Sequence, residues 1–404
     1  MKILFHSNAP WAGSGYGQQT SMFARRFVEA GHDVAISTNW GLQGAGLHWG
    51  SIPVYPGDNA WGNRTLPIIA AHHGGGDPLD CLVITLLDVH VMKQMKLADL
   101  NVAAWVPVDH RPCPPNVYAF FPKTAATPVA MSRFGVEQLT ARGLEPLYVP
   151  HGIDTKAFRP MPEVKDEARR LMKIPQDAFV IGMVARNQGG AGSPSRKCFP
   201  QVFAAFARHL RKNRDSILYL HTDMFGFEDG INLFAMAETL GIPRAALRWT
   251  HQGDMELGLV DQDRLAAIYA AFDVLANPSL GEGFGIPIVE AQACGVPVIA
   301  TDHTAMPELV GAGWLVGGDE IYDAAHGAMF KWPSVAELVE AFADAQKHAG
   351  MAKLREKARA FALQYDVDLV MSDYWVPALA ALEGKMLAGR EVKPFDLTGG
   401  RVPV

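Results

Sequence analysis

The 404-residue chain is poor in cysteine, with four residues, Cys81, Cys113, Cys198 and Cys294, and no C-x-x-C pair. That scatter excludes a disulfide framework and a thiolate zinc site, and it fits a reducing compartment. Charge is sparse at 19% of residues, 36 basic against 42 acidic for a net −6, which excludes a globally cationic nucleic-acid binder. Residues 1–150 hold ten basic and ten acidic side chains, so no local footprint marks DNA or anionic lipid either. No run of 18 apolar residues occurs, so no segment reads as a transmembrane helix. The opening MKILFHSNAP has one lysine and a three-residue apolar run, short of a secretory signal, and the expectation is a cytoplasmic protein. Peripheral contact with a membrane surface stays open, because it needs only a patch. Internal repeats, low-complexity blocks and a G-x-x-x-x-G-K-[ST] phosphate loop are also missing.

What is present is an ordinary globular composition, 49% hydrophobic, in a chain long enough for two or three domains. Short apolar runs alternate with glycine-rich turns and amphipathic stretches. Strands are expected at 3–7, 33–38, 82–87, 102–108 and 127–132, with helices at 18–30, 89–97 and 133–142. The first strand, glycine loop, helix and second strand fit within 40 residues, which makes a βαβ unit and a parallel α/β sheet. Residues 143–165 carry four prolines without sustained periodicity and read as a linker. The rhythm restarts with strands at 179–185, 217–222, 273–279, 297–301 and 313–318, and helices at 199–211, 230–240, 262–272 and 285–294. From Ser334 to Lys385 the chain reads as almost wholly helical, and after Gly389 as a polar tail. The expected domains are 1–150 and 151–365, followed by a helix at 366–388 and a tail at 389–404. Ligands of open α/β sheets bind outside the carboxyl ends of the strands, so the expected site lies between two such domains.

The most informative segment is NPSLGEGFGIPIVEAQACGVPVIAT, residues 277–301. A strand runs into a loop with Glu282, Gly283 and Gly285, then into a helix that carries Glu290. Glycines there let backbone amides approach a ligand, and a helix start offers unsatisfied donors to phosphate. A glutamate near a helix start stabilises the helix in any case, which accounts for one carboxylate but not for a loop glutamate set among glycines. The E-x7-E of EGFGIPIVE, followed by AQACGVPVIAT, resembles the donor-binding motif of the GT-B glycosyltransferases, specifically the retaining family 4 type, the glycosyl transferases group 1. Further pieces resemble the family in order: GSGYGQQTSMFARRFVEAGHDV, VPHGIDTKAFRP, MVARNQ with RKCFPQVFAAFA, and AIYAAFDVLANPS.

The resemblance implies two Rossmann-like parallel-sheet domains facing each other across a cleft, and transfer of a sugar from a nucleotide-diphosphate donor, UDP or GDP first, to a hydroxyl acceptor of unknown class. It implies that Glu282 and the backbone of Gly283, Phe284, Gly285 and Ile286 hold the sugar. Glu290 holds the ribose, and Arg186 and Lys197 clamp the diphosphate. The backbone of Gly15, and with it Gly17, approaches the phosphates from the first domain. His110, in WVPVDHRP, falls where the family places a histidine beside the donor sugar, and Asp109 before it is an orienting partner. Arginine and lysine suit phosphate oxygens, and fixed donors stabilise a leaving diphosphate in a dry site, so no cofactor and no catalytic metal are expected. Ten residues, NQGGAGSPSR, separate Arg186 from Lys197 where the family has a short loop, and Cys198 stands where glycine is common. Arg196 can therefore share or replace the role of Lys197.

Other motifs read more plainly. Asp261 or Asp263 of DQD is a helix N-cap rather than a metal ligand. His72 and His73 beside GGG lack a third ligand at convincing spacing and read as loop residues. Glu308 either backs the donor site or caps a helix. Residues 365–385 resemble the family's last helix, which packs back on the first domain with Tyr374 and Trp375 as anchors; the alternative is an ordinary amphipathic helix of the second domain. Trp11, Tyr16, Trp40, Trp49, Trp61 and Trp105 stack on an acceptor or fill the core. An epimerase of the same fold and a non-catalytic nucleotide-sugar binding module are the rival readings.

Overall fold

The computed structural model describes residues 1–58, 60–92, 97–189, 194–227 and 229–391. The chain forms two compact units, one of Met1–Trp105, Phe120–Val129 and the segment from Met371 on, the other of Val106–Ala119 and Ala130–Val370. The division interleaves, so 106–119 and 130–150 cluster with the second unit and the terminal helix with the first.

In the first unit the strands are β1 (Lys2–Asn8), β2 (Asp33–Trp40), β3 (Leu47–Trp49), β4 (Ile52–Tyr55), β5 (Cys81–Leu86), β6 (Asn101–Val106) and β7 (Thr127–Ala130). They lie in the order β3-β4-β2-β1-β5-β6-β7. β1 pairs in parallel with β2 and β5, and the edge pair β3–β4 is antiparallel. Ile3 to Ser7 of β1 are all buried, as a strand covered on both faces requires. The helix Gly15–Glu29 follows β1, capped by Ser14, whose hydroxyl accepts from the Gly17 amide at 3.1 Å. Gly17 is glycine for a packing reason: a Cβ there would sit 2.4 Å from the Ala12 carbonyl oxygen. The last helix, Val376–Glu391, is entered through a π-helical turn, Met371–Trp375, that seats Trp375 against Trp105, Phe23 and Phe27.

The second unit includes the two-residue strand β8 (Leu147–Tyr148) and contains a six-stranded sheet of β9 (Phe179–Val184), β10 (Ser216–His221), β11 (Leu247–Trp249), β12 (Val274–Asn277), β13 (Val298–Thr301) and β14 (Gly313–Val316). The order is β11-β10-β9-β12-β13-β14 with every neighbouring pair parallel, so the order reverses between β9 and β12. The helix Phe199–Leu210 buries Phe199, Val202, Phe203 and Phe206 against this sheet, and Ala207 and Leu210 are half-buried.

Three expectations need correction. His72 and His73 belong to the helix Leu66–Gly74, because the glycines after them form a left-handed cap: Gly75 has φ 84° and the Gly76 amide donates to the Ala71 carbonyl at 2.8 Å. The helix expected at 89–97 is two 3-10 turns, Val89–Val91 and Leu97–Asp99, with 93–96 outside the described residues. The strand expected at 313–318 ends at Val316, and an antiparallel hairpin follows, β15 (Gly318–Asp323) with β16 (Ala328–Pro333). The glycine-serine insertion before Lys197 falls partly on 190–193, and the tail expected at 389–404 falls on 392–404 for the most part, both outside the described residues. No helix among the described residues is long and apolar enough to cross a membrane, and all four cysteines are buried and unbridged.

Candidate active site

Arg186 is exposed just past β9, and the loop Pro278–Gly285 follows β12, so both leave the same edge of the sheet at its order reversal. The loop ends on Gly285, with φ 113°, which caps the helix Ile286–Ala293. Glu282 is buried within it. Its carboxylate is paired with Lys197 Nζ, lies 3.7 Å from Arg196 NH2, and accepts from the Ser279 hydroxyl at 2.5 Å. Its amide donates to Thr304 Oγ1 at 3.0 Å. Burial alone would raise the Glu282 carboxyl, but Lys197 and then Arg196 outweigh it and hold the acid below its ordinary range. Both Arg196 and Lys197 therefore reach the glutamate. Cys198, next in the chain, has φ 57°, the left-handed backbone that explains why glycine suits the position.

The loop glycines were read as a way for amides to approach a ligand. The structure gives two of them a second purpose. A Cβ on Gly281 would lie 2.0 Å from the Asp109 carbonyl oxygen, and one on Gly283 2.4 Å from Pro107 Cβ and 2.8 Å from its Cα. The loop thus lies directly on the backbone of Pro107–Asp109. Arg196 pins the contact, donating from NH1 to Asp109 Oδ2 and to the Gly281 carbonyl, each at 3.0 Å. Gly283→Ala must push backbone against backbone. We expect it to lower stability by about 1–3 kcal/mol and to displace Glu282, read as a fall in urea midpoint.

Asp109 continues the network. Its Oδ1 lies 2.7 Å from His110 Nδ1, and His110 Nε2 lies 3.1 Å from Asp323 Oδ2. Asp323 Oδ2 also meets His326 Nδ1 at 2.7 Å, and the Phe330 ring stacks on His110 at 3.7 Å. Asp323, His326 and Phe330 come from the hairpin and were not anticipated. Their only signal is the antiparallel register of a segment too charged to read as a strand.

Glu290 sits inside the helix, 3% exposed, and accepts from the Tyr269 hydroxyl at 2.8 Å. Burial pushes its carboxyl up to about 7, with the Tyr269 hydrogen bond opposing. Phe284 is buried edge-on to His151 and Tyr365, and Ile286 opens the helix half-buried. Asp261 caps the helix Gln262–Ala270, accepting from the Arg264 amide. Glu308 caps the helix Arg133–Thr140 through the Arg133 and Phe134 amides, at 2.8 and 2.9 Å. Among the tryptophans, Trp105 is core, whereas Trp11, Trp40 and Trp61 are exposed.

Residues 244–345, which contain both glutamates, match the family described as glycosyl transferases group 1. The chain is 29% identical over 236 residues to a D-inositol 3-phosphate glycosyltransferase of Corynebacterium jeikeium, an alignment that covers 52% of this chain and 54% of that one. It spans about half the length of the D-inositol 3-phosphate glycosyltransferases it matches. Its fold resembles that of Alr3699/HepE of Anabaena in complex with UDP, with a TM-score of 0.67 at 17% identity, covering 94% of this chain and 100% of the other. It also resembles sucrose-phosphate synthase of Thermosynechococcus elongatus, with a TM-score of 0.69 at 16% identity and the same coverage. At such identities the likeness is one of fold, and it adds to the sequence match in the second unit. Residues 244–345 are thus similar to the glycosyl transferases group 1, and the fold is of the GT-B type.

Proposed function

We propose that the protein is a retaining glycosyltransferase of the family 4 type, which moves a hexose from a nucleotide-diphosphate sugar to a hydroxyl acceptor in the cytoplasm. The observation that carries this reading is Glu282, a buried loop carboxylate held by two cations beside a helix start at the carboxyl edge of a parallel sheet. Oε2 of Glu282, 3.7 Å from Arg196 NH2, accepts sugar hydroxyls, and the same two cations neutralise a departing diphosphate. Arg196 and Lys197 keep 37% and 19% of their side-chain surface exposed, so phosphate oxygens can reach them without unfolding the loop. Arg186 shares that load from the end of β9. Two or three cations with a helix start suffice for the diphosphate without a metal on it. The bond from the anomeric carbon to the diphosphate oxygen breaks, the electron pair leaves with the diphosphate, and the acceptor hydroxyl attacks from the same face, passing its proton to the departing diphosphate oxygen. His110 has a partner on each ring nitrogen, so it supports Asp109 and through it Arg196. The binding of UDP by the Anabaena structure supports a nucleotide donor.

The test is incubation with UDP-, GDP- and ADP-sugars while following release of the nucleoside diphosphate. Binding and hydrolysis of one of them are expected. Failure of all three with folded protein overturns the reading, and isomerised sugar in place of hydrolysis favours an epimerase.

Glu290 adds a pH signature. It is mostly neutral below about 7, and ribose hydroxyls bind best to the ionised form. Sugar-nucleotide binding therefore releases a proton, and affinity should rise by about tenfold between pH 6 and 8, then level off. Calorimetry in buffers of different ionisation enthalpy reads this directly. In Glu290→Gln the pH slope should vanish and binding should weaken. A slope that survives the substitution removes the ribose role.

A further inference from the structure

We propose that His110 Nε2, His326 Nδ1 and Asp323 Oδ2 form a binding site for a divalent transition metal, zinc by its donor set, which fastens the β15–β16 hairpin to the segment Asp109–Arg111. These three ligand atoms lie within 4.8 Å of one another. Two imidazoles and one carboxylate make a three-ligand set with a fourth position left for water.

The hydrogen-bond arithmetic motivates the site. If His110 Nδ1–H donates to Asp109 Oδ1, as their 2.7 Å separation indicates, a neutral His110 leaves the Nε2 lone pair facing Asp323 Oδ2 at 3.1 Å. The same Asp323 oxygen meets the second imidazole, His326, at 2.7 Å. One carboxylate oxygen between two ring nitrogens needs a positive centre, either protons or a cation. Two features favour the cation. His110 already has a carboxylate behind its Nδ1, the arrangement that fixes the tautomer and orientation of a metal-bound histidine. That carboxylate is itself held by Arg196 at 3.0 Å.

The frame around the site is rigid on one side and open on the other. Phe330 walls one face of His110, and the Arg111 amide and carbonyl bond the Met329 carbonyl and amide at 3.1 and 2.9 Å. His110 is 2% exposed, but Asp323 and His326 are 21% and 30% exposed, which leaves an entry path. In a tetrahedral site with bonds of about 2.0–2.2 Å, ligand atoms stand roughly 3.3 Å apart, so His110 Nε2 and Asp323 Oδ2 are already close to that spacing. The site is distinct from the diphosphate position proposed above and needs no part of that reading.

The test uses the full-length, untagged chain after chelation, titrated with Zn²⁺ by calorimetry and with Co²⁺ by visible absorption. One ion per chain is expected, with a Kd of about 1 µM or below and cobalt bands of tetrahedral intensity. His326→Ala, at an exposed hairpin turn, and Asp323→Ala should each weaken binding by about a hundredfold or more. Asp109→Asn should weaken it by about 10–100-fold. Replacing His72 and His73 together should leave it unchanged. If the chain binds neither ion, or if His326→Ala binds with the parent stoichiometry and affinity, protons bridge the cluster and the proposal fails. If a variant loses its fold by circular dichroism, the Co²⁺ spectrum of the parent decides: a tetrahedral one-to-one band supports the site, and its absence overturns it.

Discussion

Trp375→Ala is expected to destabilise the first unit by about 3–5 kcal/mol, a large share of the 5–15 kcal/mol typical of a folded domain. Trp375 is fully buried, with its ring centroid 5.0 Å from Trp105, 5.2 Å from Phe27 and 5.8 Å from Phe23. The interplanar angles of 81°, 82° and 60° are edge-to-face arrangements, which add to simple burial. These contacts hold the terminal helix to the strands of the same unit, although more than 250 residues separate Trp375 from Trp105 in sequence. Alanine leaves a cavity that three aromatic rings cannot collapse into, so urea denaturation should show a lowered midpoint, and limited proteolysis should cut near Met371. Trp375→Phe is the informative companion. The indole Nε1–H has no hydrogen-bond partner among the described residues, so phenylalanine removes a buried donor whose burial costs about 1–3 kcal/mol. That gain offsets part of the lost volume, and the phenylalanine variant should fall well short of the alanine loss. Equal losses for both would mean that the indole nitrogen has a partner after all.

The anchoring role of Trp375 was legible only through the resemblance of 365–385 to the family's last helix, since a buried aromatic in a terminal helix does not itself say which unit it packs on. The parallel sheets were legible from the residues themselves: β1, β5 and β9 are buried on both faces, and buried strands read as unbroken apolar runs. The β15–β16 hairpin was not. Its first strand, GDEIYD, has three acids in six residues and no buried residue. Only pairing with β16, where Ala328 and Phe330 are buried, makes it a strand. The metal-type cluster inherits that opacity, because Asp323 and His326 meet His110 across more than 200 residues through a register no local pattern encodes. Gly283 shows what the sequence could not give: beside any approach of its amide to a ligand, its missing Cβ, like that of Gly281, makes room for the Pro107–Asp109 backbone, a partner about 170 residues away in the chain.

Glu282→Gln should reduce sugar transfer by about 10²–10³-fold with little change in shape, because the amide keeps the volume of the acid but loses its charge. The substitution leaves Lys197 and Arg196 facing each other over a neutral group. Removing one partner of a buried ion pair costs about 3–5 kcal/mol where both are fully enclosed. Here Lys197 is 19% and Arg196 37% exposed, and Arg196 keeps Asp109, so the stability loss should be smaller, near 1–2 kcal/mol. Stability and activity can then be separated by Glu282→Gln combined with Lys197→Met, which removes both charges of the pair. The double variant should recover much of the lost stability by denaturation, since no unpaired charge remains buried, while transfer stays at or below the level of the single variant. Recovery of both would make the pair a folding device. Recovery of stability alone ties the carboxylate to the sugar and the ammonium to the diphosphate, as steady-state kinetics with the accepted sugar nucleotide will read.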